Sequence, residues 1–240
     1  MNSDFSPLES VKNVCLSDQE VTFQAIETAV LGLWDVINGL TRIPPPKHDR
    51  YRVTIFGSAR IQRQSPLYLE VRHLASELTL IGCDIITGGG PGLMEAANEG
   101  SALADPLNQS QSIGVRVDLE TEQVTNAFVE RAYQHRTFFS RLHHFVLLSD
   151  AFVVVPGGIG TTLETLMIWQ LLQVRQLGQT PLILVGKMWF DFVEWARLYM
   201  VEGTFKLADP EDMVIPHCVA DMEAAIGLLK AAHQRWKYQG

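Results

Sequence analysis

The stretch AFVVVPGGIGTTLE, residues 151–164, decides how the rest of the 240-residue chain is read. Ala151–Val155 is a short apolar run closed by Pro156 and two glycines, the pattern of a strand buried on both faces. Gly157, Gly158 and Gly160 let the backbone approach a ligand, and a helix is expected from about Thr161 to Leu177. N–H groups at a helix start lack intrahelical partners and carry partial positive charge, so they suit a phosphate. Thr161 adds a hydroxyl, and Glu164, one turn on, brings a carboxylate to the rim of the same site. A tight turn followed by an acid that complements the helix dipole explains the same residues. The loop lacks the Gly-Lys-Ser/Thr of a Walker A and the GxGxxG dinucleotide pattern, so ATP and NAD lose ground as cofactors.

Outward from this stretch the chain alternates strand, loop and helix. Strands are expected at Tyr51–Phe56, Cys83–Thr87, Ser112–Val117 and Pro181–Val185. Helices are expected at Pro66–Ile81, Leu93–Ala104, His135–Leu148, Trp189–Val201 and Val219–Tyr238. Apolar strands alternating with amphipathic helices predict an α/β fold, a Rossmann-like doubly wound parallel sheet with helices on both faces. Three glycine-bearing loops, 57–58, 88–92 and 157–160, all follow strands. They should therefore converge at the carboxyl edge of the sheet, where Ser58, Gly89 and Gly90 join the candidate binding residues.

Residues 1–46 read as a tail and an extra N-terminal helix, and 47–240 as a single domain. Val21, Ala25, Ala29, Leu33 and Val36 recur at helical spacing, Ser17 and Glu20 fit a capping box, and Pro44–Pro46 forms a stiff linker. The formal net charge is −8 without a basic block, which argues against nucleic acid or an anionic membrane as partner. Cys15, Cys83 and Cys218 are far apart, without metal-ligand spacing, so no metal is expected and the cysteines fit a reducing compartment. The first ten residues lack a secretory pattern and no apolar run is long enough to span a bilayer, so the expected location is the cytoplasm.

Arg141 precedes Glu164 by 23 residues, on the helix before the glycine-loop strand. It is placed either to pair with Glu164 or to bind a phosphate bidentately, and a surface salt bridge would also account for it. Phe138-Phe-Ser-Arg141, Ser149-Asp-Ala-Phe152 and Pro156-Gly-Gly-Ile-Gly-Thr-Thr-Leu-Glu164 together resemble the LONELY GUY (LOG) family, with its PGGxGTxxE signature and upstream Arg. Phe56-Gly-Ser-Ala-Arg60 and the segment 88–98 extend the resemblance over about residues 51–200. It implies a Rossmann-like homodimer or larger oligomer that needs no cofactor. The implied activity cleaves the N-glycosidic bond of nucleoside 5′-monophosphates, of AMP or cytokinin riboside type, to free base and ribose 5-phosphate. By the same resemblance Arg141 and Glu164 are the catalytic pair. Gly157, Gly158, Gly160 and Thr161 hold the phosphate, and Glu122 contacts sugar or base.

Three positions depart from the family pattern: Leu142 stands where Lys is usual, Gln170 where many relatives have Thr, and Met167 where Glu is common. They leave the preferred base open. The alternative function is a non-catalytic carrier of a nucleotide or molybdenum cofactor, which has no need of the Arg141/Glu164 pair. An older label for such sequences, lysine decarboxylase, requires a Schiff-base lysine, yet lysines 12, 47, 187, 206, 230 and 237 all lie outside the glycine loops.

Overall fold

The computed structural model describes residues 19–40, 49–118 and 125–239. The chain divides into two compact units, Met1–Pro46 and Lys47–Gly240. In the first, helix α1 spans Gln19–Leu40, and its Phe23, Ile26, Val30 and Leu31 are all exposed. Ser17 and Pro44–Pro46 lie outside the described residues.

The second unit is built on strands β1 (Arg52–Phe56), β2 (Asp84–Thr87), β3 (Ser112–Val117), β4 (Arg131–His135), β5 (Ala151–Val154), β6 (Leu182–Val185) and β7 (His217–Val219). Their order across the sheet is β4-β3-β2-β1-β5-β6-β7, and every pairing is parallel. Helices α2 (Pro66–Leu80), α3 (Leu93–Ala104) and α7 (Met222–Gln239) cover one face. Helices α4 (Phe138–Leu148), α5 (Ile159–Gln173) and α6 (Lys187–Ala196) cover the other.

Strand side chains alternate between two cores, as a period of two residues demands. Val53, Ile55, Ile85, Val153 and Ile183 enter the α2–α3–α7 core. Phe56, Ile86, Phe152 and Leu182 enter the opposite core, where Phe56 meets Phe145 of α4 edge-on with centroids 4.9 Å apart. Burying each such aromatic contributes about 1.5–3 kcal/mol. Strand order reverses direction between β1 and β5, which pair from Val53↔Ala151 to Phe56↔Val154. The crevice beyond these two strand ends is where an open α/β sheet binds ligands.

The structure corrects the reading in several places, among them Val219, which ends β7 while α7 begins only at Met222. His135 ends strand β4 rather than opening a helix, and α4 begins at Phe138, where Thr137 accepts a hydrogen bond from the Ser140 N–H at 3.2 Å. Helix α5 begins at Ile159, two residues earlier than expected, with Gly158 as its cap. Strands β4 and β7 were not anticipated; they form the sheet edges, where Arg131, Ala132 and Gln134 face solvent and give no apolar run.

Candidate functional site

At the β1/β5 switch point the three glycine loops close around one cleft of about 510 Å³. Ser58 ties them together through its backbone. Its N–H donates to the Pro156 carbonyl at 3.1 Å, and its carbonyl accepts from the Leu93 N–H at 2.9 Å. Gly92, at φ +70°, lies so close to Ser58 and Ala59 that any side chain there would strike their backbone. The Asn126 N–H then binds the Gly89 carbonyl at 3.0 Å.

The start of α5 forms one wall. Ile159, Gly160 and Thr161 lie in its first turn, where N–H groups have no intrahelical acceptor. A Cβ built on Gly158 or Gly160 meets nothing within 4 Å, so both positions face open space in the cleft. Thr161 is buried against Gly157, whose missing side chain makes room for the threonine hydroxyl and methyl.

Glu164 lies one turn deeper and is only 8% exposed. Burial pushes its carboxyl up to about 7, and the neighbouring Arg141 guanidinium holds that rise back. Arg141 Nη1 stands 3.1 Å from Glu164 Oε1. Its Nε donates to the Val115 carbonyl at 2.8 Å, and its Cζ sits 5.1 Å from the Phe145 ring centroid. A side chain at Gly88 would collide with Nη2, so the absence of Cβ there is what admits the guanidinium. The arginine is thus held on three sides, with one edge turned to the carboxylate.

Arg60 and Arg116 also line the cleft, and Arg116 Nη1 donates to Thr125 Oγ1 at 2.6 Å. Among the described lining residues Glu164 is the only carboxylate, so guanidinium groups outnumber acids three to one. That balance, with the open helix start, suits an anionic ligand.

Of the residues expected from sequence, the structure brings Ser58, Gly90, Arg141, Gly158, Gly160, Thr161 and Glu164 together on the cleft wall. Gly157 and Gly89 are not among the residues that line it. Gly157 supports Thr161 from behind, and Gly89, at φ +69°, packs against the Gly114 Cα and the Arg116 side chain rather than lining the cleft. Glu122 lies outside the described residues. Arg116 and Met94 line the cleft without having been anticipated, because within a strand and a helix they read as ordinary surface and core positions. No cluster of three or more metal-ligating side chains occurs among the described residues. None of their helices is long and apolar enough to cross a membrane.

Residues 94–229 match a family model described as "Possible lysine decarboxylase". The chain belongs to this family, the LOG family. Curated relatives include pyrimidine/purine nucleotide 5′-monophosphate nucleosidases of Escherichia coli strains K12 and O157:H7, each 30% identical over 125 residues. That alignment covers 50% of this LOG-family chain and 28% of the relative, so the chain spans little more than a quarter of those proteins. Among solved structures, the molybdenum cofactor carrier protein of Chlamydomonas reinhardtii is 19% identical, with a TM-score of 0.56. It is matched over 76% of this chain and 98% of its own. The molybdenum cofactor binding protein of Rippkaea orientalis is 23% identical, TM-score 0.56, over 77% and 98%. These likenesses establish the shared fold.

Proposed function

We propose that this protein hydrolyses the N-glycosidic bond of nucleoside 5′-monophosphates, of AMP or cytokinin riboside 5′-monophosphate type, to free base and ribose 5-phosphate. The observation that carries the reading is the buried Arg141–Glu164 pair one helical turn below an open, glycine-lined helix start. In this mechanism the 5′-phosphate accepts hydrogen bonds from the first N–H groups of α5 and from Thr161, and so holds the ribose. Cleavage of C1′–N builds positive charge on the ribose, and a carboxylate beside it stabilises that charge. Water adds to C1′ and loses a proton to Glu164, which returns it, through a water molecule, to the ring nitrogen of the departing base. A carboxyl whose proton affinity lies near neutrality is suited to that exchange. Arg141 orients Glu164 and, in the same reading, Glu122 contacts the sugar or base. The curated nucleosidase relatives support this reading.

The rival reading, a non-catalytic carrier of a nucleotide-like cofactor, draws on the carrier proteins that share the fold. It gives the Arg141–Glu164 pair no work. Decarboxylation of lysine through a Schiff-base cofactor finds no nucleophile, since no lysine is among the described lining residues. Lys187 pairs with Asp191 and Lys230 with Glu77, on the surface. Incubation with AMP, GMP, CMP and cytokinin riboside monophosphates should release free base from at least one. Measurable binding without release from any of them would sink the hydrolase reading.

We further propose that the protein acts in the cytoplasm as a homodimer. Ile159, Leu163 and Leu166 form an exposed apolar stripe along α5 that begins at the cleft, and a second copy is the partner proposed for it. Light scattering should give a dimer mass, and Leu163→Glu with Leu166→Glu should give a monomer. A monomeric wild type would overturn it.

A further inference from the structure

Behind the Gly88–Gly90 wall of the cleft lies a buried polar network that no apolar packing requires. Asn98, on α3, is fully buried and Asn126 nearly so. The Asn126 amide donates one hydrogen to the Gly90 carbonyl and the other to Asn98 Oδ1, both at 3.0 Å. Its Oδ1 accepts from the Phe128 N–H at 3.1 Å. Asn98 Oδ1 accepts a second hydrogen bond from Thr87 Oγ1 at 2.7 Å, and its Nδ2 donates to Ser112 Oγ at 2.9 Å. Thr87 Oγ1 in turn accepts from the Gly89 N–H at 2.9 Å. Both hydrogens of the Asn126 amide and both lone pairs of Asn98 Oδ1 are therefore used. The orientation of Asn126 is fixed as well, because turning its amide over would set an oxygen against the Gly90 carbonyl.

Consecutive glycines have the greatest backbone freedom of any sequence and offer no side chain for the protein to grip. Here the Gly89 N–H, Gly89 carbonyl and Gly90 carbonyl are all held by this network. Gly88, the next residue along, abuts the Arg141 guanidinium. We propose that Asn98 and Asn126 are positioning residues: they lock the Gly88–Gly90 wall and, through Gly88, set the Arg141 guanidinium against Glu164. The catalytic consequence rests on the hydrolase reading above; the lock itself does not.

Asn126→Asp is the diagnostic change, nearly isosteric but replacing the donor with an oxygen that faces two acceptors. Asn98→Asp differs in kind, because its new oxygen faces the Ser112 hydroxyl, which can turn to donate. Burial alone ranks the two the other way, Asn98 being the more buried. Amide hydrogen exchange of the peptide 86–92 should quicken about tenfold in Asn126→Asp, and less in Asn98→Asp. With AMP as substrate, well below the melting temperature, kcat should fall about a hundredfold in Asn126→Asp and about threefold in Asn98→Asp. KM should move little in either, as a misplaced catalytic group dictates. Should Asn126→Asp not fold, Asn126→Ala removes the same donors without the repulsion and carries the same expectation. Unchanged exchange at 86–92, or a normal kcat beside lowered thermal stability, would overturn the proposal. A wild type that releases no base condemns the hydrolase reading instead, and the exchange measurement still decides the lock.

Discussion

Two glycine-rich loops border the same cleft and use their glycines for opposite ends. At 157–160, Gly158 and Gly160 leave empty volume where a ligand can lie. At 88–92 the missing side chains are replaced by protein: the Arg141 guanidinium beside Gly88, the β3 backbone beside Gly89, and the Ser58–Ala59 backbone beside Gly92. One loop is bare for a guest and the other for its own neighbours. A glycine run near a ligand site is thus no measure of ligand contact until its surroundings are known.

That contrast can be broken or sharpened by substitution. The largest effect should come from the residue the first loop leads to. Glu164→Gln should retain AMP binding in calorimetry and lose base release by about a thousandfold. Retained turnover would mean that Glu164 has another role. The same variant has a stability signature. A carboxyl raised from 4.5 to about 7 in the folded state favours the fold while protonated, and that contribution is lost as pH climbs between those values. Urea melts should show wild-type stability falling across that window and a flatter profile for Glu164→Gln.

Next comes Gly92→Ala, which forces a Cβ into the Ser58–Ala59 backbone at positive φ and should cost about 3 kcal/mol in chemical denaturation. Gly88→Ala should leave more of the stability and displace Arg141, lowering kcat about a hundredfold with little change in AMP affinity. The smallest effect is the most telling. Gly160→Ala sits in a helix with open space around it, so it should raise stability by about 0.5 kcal/mol while weakening AMP binding roughly tenfold. Affinity that survives this change would remove Gly160 from the phosphate site.

The central strands were legible because burial on both faces makes each a continuous apolar run, as in Ala151–Val154 and Leu182–Val185. Strands β4 and β7 were not, since an edge strand with Arg131 and Gln134 in water carries no such pattern. The early start of α5 was hidden by Gly160, a poor helix former in the first turn. In the site, Arg141 and Glu164 were nameable as candidates. Their contact was not derivable from local sequence, because it depends on how α4 and α5 cross the sheet. Gly157 is expected at the ligand by resemblance and Gly89 by its place in a glycine loop after a strand, and neither signal shows that an added Cβ would meet Thr161 at Gly157 and the Gly114 Cα and Arg116 at Gly89. Arg116 gave no signal, since its place on the cleft wall follows from where β3 ends.

The β1/β5 pairing also governs when the cleft can come into being. The Arg52 N–H donates to the Asp150 carboxylate at 2.8 Å, between residues 98 positions apart. During synthesis at about 5–20 residues per second, β1 through β4 emerge well before β5 can meet them. Until then β1 carries an unpaired edge of Val53, Ile55 and Phe56 at what will become the middle of the sheet. The nascent protein therefore passes through a stage in which the middle of its future sheet is an open edge, and the rate of β5 docking sets how long that exposure lasts.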